Sequence, residues 1–135
     1  MRLVNYGAGE MSDRLTILAL KLLYGLDAGK DVKHFRDERN ALLVQIRART
    51  LNGVWFEQVL DLGATNAALW QAEDHLRGRR RAVEHEEDEG VIAAHYAEAG
   101  RLAFRIQALN DQRAALIERI NQDAGDAGSG KEKLG

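Results

Sequence analysis

WFEQVLDLGATNAALWQAEDHLRGRRRAV, residues 55–83, and IAAHYAEAGRLAFRIQALNDQRAALIERI, residues 92–120, decide the fold. In the first, Trp55, Val59, Leu62, Asn66, Leu69, Glu73, Leu76, Arg80 and Val83 recur at steps of three and four. In the second, Ile92, His95, Ala99, Leu102, Ile106, Leu109, Arg113, Leu116 and Ile120 do the same. That spacing is the seam of two packed helices. Folding the second stripe back on the first pairs 59 with 120, 62 with 116, 66 with 113, 69 with 109 and 76 with 102. The partners' numbers always add to 178 or 179. The spacing therefore predicts a long antiparallel helical hairpin, helix 3 over Val54–Glu84 and helix 4 over Gly90–Asp123, turning near Gly90.

Upstream, Leu15, Ile17, Leu18, Leu20, Leu22 and Leu23 make a first helix apolar nearly all round, from Glu10 or Ser12 to Tyr24. Ser12 is its expected N-cap and Gly25 its stop. A helix of that kind has to be buried by neighbours or by a second subunit. Helix 2 is expected over Asp31–Leu51, with Asn52-Gly53 as the break before helix 3. After Asn121 the chain turns to Gly, Asp, Ser and Lys. The reading is one helical domain over 1–123 and a flexible tail over 124–135.

Composition agrees with an all-α class. The chain has 135 residues, no proline, and few β-branched residues in alternation. A four-helix, mostly antiparallel bundle built on the helix 3–helix 4 hairpin is expected. No cysteine is present, so disulfides, thiolate metal sites and cysteine nucleophiles drop out. The longest apolar run, Leu15–Tyr24, is far short of the ~20 residues of a spanning helix. No signal-peptide core opens the chain, so a soluble cytoplasmic protein is expected. The net charge of −2 gives no bulk attraction to nucleic acid or anionic lipid. The run Arg77-Gly-Arg-Arg-Arg81 abuts Glu84-His-Glu-Glu-Asp-Glu89 and carries no aromatic platform. It reads as a solvated hairpin tip rather than a nucleic-acid patch.

The interruptions of the seam are the candidate chemistry. Asn66 and Arg113 share a layer, and Arg113 still needs an anion. Trp70 lies one turn from Asn66. Glu73 falls opposite Ile106 and needs a cation, with Arg77 at i+4 the local candidate. Arg80 meets Ala99, and His95 meets Val83. On helix 1, Glu10, Asp13, Ile17, Lys21 and Tyr24 share one face. Two readings stay open. The polar layers fix register, as in coiled coils, or they line a pocket closed by helix 1, in which a buried arginine receives an anion.

Recognised catalytic spacings are missing. No Glu-x-x-His, His-Glu-x-x-His, P-loop, Gly-x-Ser-x-Gly or dinucleotide fingerprint occurs. Glu10-Met-Ser-Asp13 matches half of the magnesium motif of four-helix nucleotide pyrophosphohydrolases, but the other half lies at the tip in the wrong order. The four histidines show no ligand spacing. No cofactor and no metal are expected.

Gly9-Glu-Met-Ser-Asp-Arg-Leu-Thr-Ile-Leu-Ala-Leu-Lys21 resembles the opening of a family of small bacterial all-helical proteins, a domain of unknown function. Asn66-x-x-Leu-Trp-x-x-Glu-Asp-x-x-Arg77 resembles the family's middle motif, and Asn110-Asp-x-Arg113 with Ile120-Asn121 its last helix. The resemblance implies a context near glycosyltransferases and surface-polysaccharide genes. It also implies shared polar positions at Glu10, Asp13, Lys21, Asn66, Trp70, Glu73, Asp74, Arg77, Asn110 and Arg113. Ser12, where the family has an apolar residue, and the Gly-rich tail depart from it.

The expectation is a non-catalytic accessory or interaction module, linked to surface-polysaccharide metabolism. Trp55, Trp70 and Phe104 offer more apolar surface than one hairpin covers, so helices 1 and 2 should cover it and a homodimer and a protein partner are expected. The alternative is an enzyme or binding protein for a small phosphate- or carboxylate-bearing molecule, held by Glu10, Asp13, Lys21 and Arg113.

Overall fold

A computed structural model describes residues 6–126. It is all-α: α1 spans Ala8–Asp27, α2 Lys33–Arg47, α3 Gly53–Glu84 and α4 Glu89–Asp123. Two compact units emerge. One takes the chain up to Ala64 and from Ala114 onward; the other is Thr65–Arg113.

The first unit joins α1 and α2 to the opening of α3 and the end of α4. Its core has two clusters. Ala8, Leu62 and Ile120 are buried together, with Trp55, Leu116 and Ile117 against them. Met11, Leu18 and Leu42 form the other, with Tyr6, Leu15, Phe35 and Ile46. Leu62, Leu116 and Ile120 meet as the seam predicts. Leu23 and Leu26, at the other end of α1, are more than half exposed. The all-round burial expected of helix 1 thus stops short of its last turns.

Helix ends in this unit differ from expectation for local reasons. Ser12 is not a cap but a residue inside α1, fully buried. Its hydroxyl donates to the Ala8 carbonyl at 2.6 Å, the back-bond of a mid-helix serine. It also accepts the Trp55 Nε1–H at 3.0 Å. Gly25 does not end α1 either. A Cβ there would stand 2.6 Å from Val32 Cγ1, so glycine admits the close approach of Val32. The stop is Gly29, at φ +68°. Lys30 N–H donates to the Gly25 carbonyl and Gly29 N–H to that of Leu26, which is a Schellman turn. Helix α2 ends at Arg47 instead of Leu51, and the segment after it carries Arg49 to Asp126. Asn52 then caps α3, its Oδ1 accepting the Trp55 N–H at 3.1 Å.

The second unit is a two-helix hairpin. Leu69, Ala72, Leu102 and Leu109 are buried together, with Leu76 and Ile106 packed on them. The 69–109 and 76–102 layers therefore lie in one core. The turn is residues 85–88, just before Gly90. Asp88 starts α4 by accepting the Gly90 and Val91 N–H groups at 2.8 and 3.2 Å. Phe104 is 76% exposed, which corrects the expectation that helices 1 and 2 cover it. Its ring lies on the face of α4 away from the Leu102–Ile106–Leu109 stripe. Among the described residues no helix is long and apolar enough to cross a membrane.

Candidate functional site

The first unit holds a clasp between the start of α1 and the end of α4. A helix start leaves backbone N–H groups without intrahelical partners. Gly7, the N-cap of α1, has no side chain to offer. Two residues from the far end of the chain supply acceptors instead. Asn121 Oδ1 accepts the Gly9 N–H at 2.7 Å. Asp126 Oδ2 accepts the Ala8 N–H at 2.9 Å and pairs with Arg49. A carboxylate at that end also suits the helix dipole.

Asp126 reaches its position through a second Schellman turn. Gly125, at φ +79°, lets Asp126 N–H bond the Asn121 carbonyl at 2.7 Å. Gly9 makes the clasp possible. A Cβ at Gly9 would lie 2.4 Å from the Ile117 carbonyl oxygen and 2.9 Å from the Asn121 amide. Nearby, Gln58 Nε2 donates to Asp123 Oδ2 at 2.7 Å. Residues 127–135 of the expected tail lie outside the described residues.

Of the ten candidate residues, Glu10, Asp13 and Lys21 stand on α1 in this unit. Asp13 is buried, 7% exposed. Glu10 is half-buried, and its Oε2 is screened from solvent with no hydrogen-bond partner among the described residues. Lys21 Nζ stands 5.5 Å from the centroid of the Phe35 ring on α2, a cation–π contact.

The other seven are in the second unit, where burial separates them. Asn66 is buried, 4% exposed, and Trp70 and Arg113 are half-buried. Glu73, Asp74, Arg77 and Asn110 are exposed. Two corrections follow. Ala72, not Glu73, is the buried residue in the layer of Ile106, because the small side chain fits between the helices while Glu73 turns to water. Glu73 therefore needs no cation. Arg77 pairs instead with Asp74, at 2.9 Å. Both members of that pair are well exposed, so it adds little to stability. The arrangement makes Asn66 a seam residue and leaves Glu73, Asp74, Arg77 and Asn110 on a solvated surface.

Open clefts occur elsewhere. One of about 360 Å³ in the first unit is lined by Asn52, Trp55, Gln58 and Asp123, among others. One of about 300 Å³ in the second has Leu76, Val83 and Ala99 along it, with Arg79, Arg80 and Tyr96 at its edges. Neither contains any of the ten candidates. His95, Val83, Arg80 and Ala99 all line the second cleft. Among the described residues no group of three or more His, Cys, Asp or Glu side chains is placed to hold a metal ion.

The sequence reading missed the clasp. Gly9 stands near the start of α1 and Asn121 near the end of α4. Their backbone-to-side-chain bond spans 112 positions, and no spacing rule connects them. No protein-family model matches this chain, and no curated protein or solved structure does.

Proposed function

We propose that this protein is a non-catalytic interaction module, bacterial and cytoplasmic, that assembles as a homodimer and docks a protein partner. The exposed apolar side chains of the first unit carry this reading. Phe56 and Leu60 stand one turn apart on the same side of α3, and each is more than half exposed. Val54, Val44, Leu23 and Leu26 in the same unit are equally open. Exposed large apolar side chains adjacent on one helix face, as Phe56 and Leu60 are, mark a protein-binding face. The accessory role in surface-polysaccharide metabolism rests on the family resemblance in residues 9–21, 66–77 and 110–121.

The test has two arms. Purified protein should leave a panel of sugar nucleotides unchanged; turnover of any of them would sink the reading. The wild-type chain should also retain a protein partner from its own cells that the Phe56→Ser/Leu60→Ser variant loses. Equal retention by both would remove this face from the account.

A further inference from the structure

The tip of the hairpin holds two opposite charges that its own chain leaves largely unpaired. Four arginines fill residues 77–81 except for Gly78, and five carboxylates fill 84–89 except for His85. Neutralisation within the tip would be the simple outcome, yet only Arg80 and Glu84 meet there, at a loose 4.0 Å. Arg77 turns back to Asp74. Arg79 Nη1 lies 3.3 Å from His95 Nδ1. Asp88 is occupied in capping α4, and Glu86 Oε1 accepts the Glu87 and Asp88 N–H groups. Among the described residues, Arg79 and Arg81 have no carboxylate, and Glu87 and Glu89 no cation, within the 4.0 Å reach of an ion pair.

This leaves a basic band on the last turns of α3 and an acidic band on the turn beyond it, in fixed order along the hairpin. Each band repels itself, and each is the complement of the other. Beside them lies the cleft of about 300 Å³ lined by Leu76, Val83 and Ala99 together with Arg79, Arg80 and Glu84. Tyr96, which also lines it, is 64% exposed, and Val91, two residues beyond the acidic band, is 40% exposed.

We infer that the occupant of this surface is the tip of a second copy of the chain, arranged two-fold so that each basic band faces the other copy's acidic band. A two-fold contact uses the same patch twice and so requires a patch that complements itself. A dipolar band pair meets that requirement, whereas a patch of one sign does not. The acidic turn crosses the arginine rim, and Val91 supplies an apolar group to the cleft. The inference rests on the homodimer of the proposed function and assigns its surface.

Sedimentation equilibrium of the full chain at two salt concentrations tests it. The wild type should be a dimer at 50 mM salt, with a dissociation constant at least ~10-fold weaker at 1 M, where screening shrinks the reach of charge to ~3 Å. The Arg79→Glu/Arg81→Glu and Glu87→Lys/Glu89→Lys variants should each be monomers with unchanged helical circular dichroism, since all four positions are exposed. Mixed in equal amounts, the two variants should form a heterodimer, because each now carries the sign that the other lacks. A wild type that is a monomer at 50 mM salt overturns both the homodimer and its surface. A dimer that persists in both variants, or that is indifferent to salt, overturns the surface alone. Monomeric variants that fail to associate when mixed also contradict the band-to-band pairing.

Discussion

Gly9→Ala should destabilise the protein by about 3 kcal/mol, a large part of the ~5–15 kcal/mol that holds a domain together. Two effects oppose each other. Alanine in place of glycine within a helix favours folding by up to ~1 kcal/mol. Against that, the new Cβ would sit 2.4 Å from the Ile117 carbonyl oxygen and 2.9 Å from the Asn121 side chain. The carbonyl is backbone and cannot swing aside. Overpacking of this kind costs ~1–3 kcal/mol. Separating the helices to relieve it pulls the Gly9 N–H from Asn121 and leaves a buried donor unmet, for a further ~1–3 kcal/mol. Strain wins. Urea denaturation should show a lower midpoint with an unchanged slope. The control is Gly63→Ala, where the nearest atom, Thr16 Cγ2, is 3.6 Å from the new Cβ. That is ordinary contact, and the control should hold its stability or gain up to ~1 kcal/mol. A Gly9→Ala protein as stable as wild type would remove the clasp from the account.

Leu62→Ala should cost about 3 kcal/mol, within the ~2–5 kcal/mol of buried leucine truncations. Leu62 has no solvent exposure and packs in the cluster of Ala8 and Ile120. That cluster draws on α1, α3 and α4, so collapse of the void would have to move three helices. Leu60, two residues away on the same helix, is 59% exposed. Leu60→Ala should cost no more than ~0.5 kcal/mol. The same residue type on one helix thus separates the two faces, and thermal denaturation of the pair reads the difference. Comparable losses at both positions would mean that α3 is rotated from the orientation described.

The heptad steps placed this contrast in advance. Leu62, Leu69, Leu76, Leu102, Leu109 and Ile120 all occupy seam positions in the sequence, and all lie in the cores. Period and residue type suffice there, because burial of an apolar stripe is a local consequence of helix geometry. The polar interruptions were harder to read. A strict heptad put Glu73 in the seam, but α-helices drift from a 3.5-residue repeat, and Ala72 takes the place. Arg77 has carboxylates at both i−3 and i−4, and sequence spacing cannot rank Asp74 against Glu73. The Asn52-Gly53 break before α3 is legible in the sequence, whereas the acceptor role of Asp88 at the start of α4 comes only from the structure. Ser12 misled because a serine near a helix start resembles a cap until Trp55, 43 residues away, is seen to donate to it. The clasp joins the start of α1 to the end of α4, and no local pattern records it.

The antiparallel register of α3 and α4 is the claim on which the rest stands, and cysteine pairing tests it most directly. The chain has no cysteine of its own, so any crosslink comes from the introduced pair. Leu69→Cys/Leu109→Cys joins two residues of one buried cluster and one predicted layer. Leu76→Cys/Leu109→Cys is the control, displaced by seven residues or ~10 Å along the helix. Under oxidising conditions in the folded protein, the 69–109 pair should close within one chain, and the 76–109 pair should remain as free thiols. Closure of 76–109 in preference to 69–109, in protein with native circular dichroism, would contradict the register.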